Sequence, residues 1–142
     1  MVMTTIDERL ELAYVDGMSG YRAGACNIGP MEVRRRSKAA IVAILGTIAL
    51  AVLLVLADAP RTLGLVLALP LAGTIISIEQ VRRRFCVAFG LSGLRNLGER
   101  DDLHSVEDEA DRRADRRTAA SIVATGVIVG VLIAVVFSLV AL

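Results

Sequence analysis

The sequence has no tryptophan, and only three phenylalanines and two tyrosines among its 142 residues. A soluble core of this size usually takes much of its buried area from aromatic rings, whereas Leu, Val, Ile, Ala and Gly dominate segments that cross a bilayer. Aromatic residues make up 4% of the chain and hydrophobic residues 55%, which is the second kind of composition. Histidine occurs once, at His104. A zincin helix needs two histidines and is excluded, and a Ser/His/Asp set has only that one base to use. No phosphate-cradling P-loop is present. Two cysteines, Cys26 and Cys86, are too few for a disulfide scaffold. Lysine also occurs once, at Lys38, and the other basic residues are arginines. Without an aromatic platform they make no case for nucleic acid. Asp7, Glu8 and Arg9 interrupt the first ten residues, so no signal peptide is expected there.

What the chain does have is long uncharged runs between blocks of charge. Residues 1–29 read as a polar leader. Thr5 to Glu8 has capping-box spacing, and Ile6, Leu10 and Tyr14 recur at intervals of four, predicting a short amphipathic helix that ends near Asp16-Gly17. Four glycines between Gly17 and Gly29 then suggest a loop. Gly29-Pro30 is a helix start, since proline at the first helical position gives up no needed N–H. Glu32 favours the first turn and is placed to pair with Arg36. Residues 39–57 carry no charge and form the first predicted span, because about 20 apolar residues cross the hydrocarbon layer.

Asp58-Ala59-Pro60-Arg61 reads as a tight turn, and residues 62–78 as a second span that completes a hairpin over 30–84. Pro70 should kink this span and free a carbonyl near Val66. The apolar stretch 85–94 is too short to cross and is expected at the interface or docked under the bundle. Ser105, with Asp108 three residues on, is a plausible cap for a charged helix. Asp108–Arg112 and Glu109–Arg113 have the acid-first spacing of an exposed helix. Nothing interrupts the passage from this segment (85–117) into the apolar run 118–142. One long helix is therefore predicted, a solvated stalk leading into a third span. The fold class expected is all-α, an integral membrane protein with three spans.

Orientation follows from the basic residues. The leader through Lys38 holds six of them and the second connection nine, against Arg61 alone in the first connection. The N-terminus is expected in the cytoplasm, the C-terminus outside, and both cysteines in a reducing compartment.

Gly126-Val127-Ile128-Val129-Gly130 is a GxxxG pair, and Thr118, Ala134 and Ser138 extend its small-residue stripe. Small residues let helices approach closely. The stripe is expected to receive the first or second span of the same chain, or else a second copy or a larger complex. The hairpin should bring Cys26 and Cys86 to one face of the membrane, with Asn27 and His104 nearby. Thiol chemistry and buried packing are both open for these cysteines, while metal ligation lacks close partners. The triplets Arg34, Arg35, Arg36 and Arg82, Arg83, Arg84 suit topology fixing or anionic headgroups. No span contains an acidic residue, which argues against an ion pump or proton relay.

Cys26-Asn27-Ile28-Gly29-Pro30-Met31-Glu32 and Phe85-Cys86-Val87-Ala88-Phe89-Gly90-Leu91-Ser92-Gly93 flank the hairpin. The arrangement resembles a group of small uncharacterised prokaryotic membrane proteins with a CNIGPxE-type start and an FCxAFGLxG-type stretch. More remotely, residues 26–98 are similar to the hairpin membrane domain found beside rhodanese domains. That resemblance implies a sulfur-linked role through Cys86, although Val87 stands where that family has proline.

The reading that results is a non-enzymatic accessory or assembly subunit of a prokaryotic cytoplasmic membrane. Its expected partners are membrane lipids, and other membrane subunits or a second copy through the third span. No nucleic acid, cofactor, metal or catalytic residue is expected. The alternatives are a thiol-based redox or sulfur-handling protein using Cys26 and Cys86, and a small oligomeric channel or transporter.

Overall fold

The computed structural model describes residues 20–98 and 103–142. The amphipathic helix expected before Gly17, and the start of the charged run at Glu99, lie outside the described residues. Helix α1 runs Pro30–Leu56 with Pro30 in its first turn and Gly29 as N-cap. The expected start is therefore where the helix begins. Its 27 residues give a rod of about 40 Å. Ala57 caps it, Asp58 turns the chain with φ 47°, and Ala59 N–H closes on the Leu54 carbonyl at 3.0 Å. Aspartate tolerates this left-handed geometry better than most residues.

The second long helical segment, Arg61–Arg83, consists of three pieces. Helix α2 spans Arg61–Gly64, a 3-10 turn spans Leu65–Leu67, and α3 spans Ala68–Arg83. Pro70 thus sits in the first turn of α3, where its missing N–H costs little. The irregularity falls at Val66, the residue whose carbonyl the proline ring would otherwise meet. Arg84, with φ 52°, ends α3, and Phe85 N–H returns to the Gln80 carbonyl at 2.9 Å. This is a Schellman-type cap built without glycine.

Helix α4, Val87–Ser92, follows at once and stops at Gly93, whose φ of 69° needs no Cβ. Two short strands then pair antiparallel, β1 (Leu94–Arg95) with β2 (His104–Ser105). The protein is mostly helical, as expected, and this ladder of two residues per strand is an addition that the all-α reading did not contain. The ladder also explains why Ser105 does not cap the last helix, since Ser105 is paired with Leu94. The cap is Asp108, whose carboxylate accepts from Ala110 N–H at 2.7 Å and Asp111 N–H at 3.3 Å. Helix α5 then runs unbroken over Glu109–Val140, so stalk and third span are one helix of 32 residues.

Helix α3 packs on both of the other long helices and lies between them. Against α1 the contact is partly polar: Thr47 Oγ1 lies 2.9 Å from Thr74 Oγ1 and also donates to the Ala43 carbonyl at 2.7 Å. Against α5 it is steric, through the small-residue stripe. A Cβ on Gly130 would lie 2.7 Å from Ala72 N, and one on Gly126 would lie 2.3 Å from Ile76 Cγ1. Ala134 and Ser138 are buried in the same row, with Ser138 against Gly64. Of the occupants foreseen for the stripe, the structure has the chain's own second helical segment.

Among the described residues, three helices are long and apolar enough to cross a membrane: Pro30–Leu56, Arg61–Arg83 and Glu109–Val140. Only 11% of the most apolar window of the first is buried inside the protein. Burying so much exposed Leu, Ile and Val is favourable in hydrocarbon and unfavourable in water.

Candidate functional site

The charged end of the helices is held together by a buried junction, and both sequence motifs meet in it. Segment 20–29 threads between the end of α3 and the stalk half of α5. Asn27, fully buried, faces the main chain of Cys86. Its Oδ1 accepts from Cys86 N–H at 2.7 Å and its Nδ2 donates to the Cys86 carbonyl at 3.1 Å. Asn27 N–H also donates to the Arg84 carbonyl at 3.2 Å. Ile28 bridges to Asn96, with Asn96 N–H on the Asn27 carbonyl at 2.9 Å and Gly29 N–H on the Asn96 carbonyl at 2.8 Å. Gly29 is required by close approach, because a Cβ there would lie 2.4 Å from the Leu97 carbonyl oxygen.

Cys26 and Cys86 are both free and buried, 4% and 0% exposed. Each sulfur has a local structural bond. Cys26 Sγ donates to the Ile28 carbonyl at 3.6 Å, and Cys86 Sγ accepts Phe89 N–H at 3.5 Å as the N-cap of α4. The hairpin does bring both cysteines to one end, with Asn27 between them in the network. His104 instead stands exposed on β2. Among the described residues no group of three His, Cys, Asp or Glu side chains is placed to hold a metal ion.

A second set of bonds joins the same segment to α5. Asp115 is completely buried and uses both carboxylate oxygens. Oδ2 accepts the Tyr21 hydroxyl at 2.9 Å, and Oδ1 accepts Gly24 N–H at 2.7 Å. Thr118 Oγ1 donates to the Gly24 carbonyl at 2.7 Å, and the Arg95 guanidinium lies over the Tyr21 ring at 5.2 Å. Partial burial, then the hydrogen bond and charge of Asp115, push the Tyr21 hydroxyl well above its ordinary pKa of about 10. The stalk is therefore not solvated all round, as the charge pattern suggested. Its inner face is bolted to the loop before α1, while Glu109, Arg113, Arg116 and Arg117 remain exposed. Of the two acid-first pairs expected there, Glu109–Arg113 is present at 3.6 Å. Asp108 caps the helix, and Arg112 Nε donates to the Val106 carbonyl.

The arginine triplets lie side by side at this end, each organised by one carboxylate. Glu32, 7% exposed, pairs with Arg35 at 3.4 Å and Arg36 at 3.7 Å. Glu79 pairs with Arg82 at 2.9 Å and Arg83 at 2.8 Å. Arg36 reaches across to Gln80 Oε1 at 3.2 Å and lies over the Phe89 ring at 5.9 Å. Gln80 Oε1 also accepts Val87 N–H at 3.0 Å, so one side chain ties α1, α3 and α4 together. Beside the junction an open polar cleft of about 550 Å³ is lined by Tyr21, Arg95, His104, Glu107 and Asp111, among others.

The sequence reading did not single out Asp115, Tyr21 or Gln80. For Asp115 a signal existed. Stepping back from Gly126 by three or four residues reaches Ile122, Ala119 and then Asp115, all on the buried face of α5. For Tyr21 and Gln80 no local pattern marks the distant partner, Asp115 for the first and Arg36 for the second. No family model matches the chain, and neither a curated protein nor a solved structure matches it significantly.

Proposed function

We propose that the protein is a non-enzymatic accessory or assembly subunit of a prokaryotic cytoplasmic membrane, with its N-terminus in the cytoplasm and its C-terminus outside. The observation that carries this reading is the form of α5. Its stalk half is fixed on one face through Asp115 and exposes arginines and Glu109 on the other. The same helix continues without a break into the apolar half. A partner that grips the exposed face of such a rod is rigidly registered to the membrane. The stripe at Gly126 and Gly130 is already occupied by α3, so contacts within the bilayer would use the outward ridge of Ile128, Leu132 and Val136, each 59% exposed.

The orientation rests on charge. Along the sequence, fifteen of the sixteen basic residues fall in the leader through Lys38 and in the second connection, and the positive-inside rule assigns the side that carries them to the cytoplasm. The thiol alternative is weakened by two buried, hydrogen-bonded sulfurs. The test is gentle detergent extraction of the native protein followed by native mass spectrometry. A complex of fixed stoichiometry with other chains, lost when Arg113, Arg116 and Arg117 are changed to glutamine, is the expected result. A homo-oligomer alone would overturn the subunit reading and favour a pore.

A further inference from the structure

We propose that the outer face of α1 binds an anionic phospholipid, its phosphate held by Arg34, Arg35 and Lys38 and an acyl chain lying along the helix beyond them. Helix α1 divides its charges by face. Glu32 and Arg36 turn inward to α3, in register with the buried Ala40 and Thr47. Arg34 and Lys38 are exposed, and the Arg35 side chain keeps 69% of its surface free even with Glu32 beside it. An ion pair so open to solvent holds its arginine weakly and leaves the guanidinium edge for another anion.

The basic row runs directly into the apolar one. Arg34, Lys38, Ile41 and Leu45 follow at intervals of three and four, and Ile41 and Leu45 are 56% and 62% exposed. Beside this ridge lies low ground. Ala39 and Ala49 are exposed, and a Cβ added to Gly46 would meet nothing within 4 Å. Phosphate and chain of one lipid thus find cations and a shallow apolar track on the same helix face. A zwitterionic headgroup offsets its phosphate with its own cation. An anionic one does not, and each exposed cation near an anionic surface adds about fivefold in affinity. This inference requires the chain to lie in a membrane but needs no protein partner and neither orientation.

The test uses the purified full-length chain. After reconstitution in vesicles of equal phosphatidylglycerol and phosphatidylcholine, native mass spectrometry should find the anionic lipid retained in several-fold excess. Arg34→Gln/Arg35→Gln/Lys38→Gln should abolish the excess, while Arg113→Gln/Arg116→Gln/Arg117→Gln, which removes equal charge from the stalk, should keep it. Equal retention of the two lipids by the unaltered protein, or equal loss in both variants, overturns the proposal. If the first variant fails to insert, the unaltered protein decides. Thermal stabilisation by added phosphatidylglycerol should fade at about 0.5 M salt, where screening is short-ranged. Stabilisation that survives the salt overturns the proposal.

Discussion

Asn27 and Cys86, 59 residues apart, are joined by two hydrogen bonds between one side-chain amide and the main-chain N–H and C=O of one residue, at 2.7 and 3.1 Å. The two motifs that flank the hairpin are thus partners in a single buried joint. Asparagine is the residue that fits, because it offers one acceptor and one donor at the right separation. Asn27→Ala would strand the buried Cys86 N–H, while the Cys86 carbonyl keeps the Gly90 N–H at 2.9 Å, and should destabilise the protein by about 1–3 kcal/mol. Denaturation in mixed micelles would measure it.

Cys86→Ser is expected to behave differently. The hydroxyl can still accept Phe89 N–H at the start of α4, so the stability loss should stay near about 1 kcal/mol. Maleimide labelling of either cysteine should be slow in the folded protein and fast after denaturation, as burial implies. Rapid labelling of folded protein would revive the thiol alternative.

Tyr21 gives a prediction in pH. Its folded-state pKa is raised, so the stabilisation from its neutral hydroxyl on Asp115 is complete below the ordinary tyrosine value of about 10. It is lost as pH climbs above that value toward the folded pKa. In a Tyr14→Phe protein, tyrosinate absorbance at about 295 nm should report Tyr21 alone and rise only above the ordinary range. Asp115→Asn should bring that titration down toward the ordinary value. The double-mutant cycle of Tyr21→Phe with Asp115→Asn should show coupling of about 0.5–3 kcal/mol.

Two glycines on different helices should respond in opposite ways to alanine. Gly130→Ala places a methyl against the Ala72 backbone and should cost about 1–3 kcal/mol by forcing α3 from α5. Gly46→Ala meets open space and should be neutral or slightly stabilising, since alanine is the better helix former. Comparing the two denaturation curves under one set of micelle conditions tests the packing directly.

Thr47→Val should have only a small effect despite the buried Thr47–Thr74 contact. Hydrogen bonds between helices in apolar surroundings average about 0.6 kcal/mol, because the opened helices find other partners. A loss well beyond about 2 kcal/mol would mean that this contact holds α1 in place.

Elements whose signals are local were legible along the chain. Uncharged runs of sufficient length locate three apolar helices, because transfer from water to hydrocarbon adds residue by residue along one segment. Gly29-Pro30 marks where α1 begins, Asp58-Ala59-Pro60 where the chain turns, and the unbroken passage from stalk to third span needs no partner to be read. The tertiary structure decided what depends on two distant residues meeting. It paired Ser105 with Leu94 and so moved the helix cap to Asp108. It gave the stripe at Gly126 and Gly130 to α3. It gave Asp115 its partners, Tyr21 and Gly24; the register from Gly126 puts this carboxylate on the inner face of α5 but names nothing that meets it there. The physical reason is the same in each case. A hydrogen bond between Asn27 and Cys86, or Tyr21 and Asp115, is set by three-dimensional proximity, which composition and periodicity along a single helix do not encode.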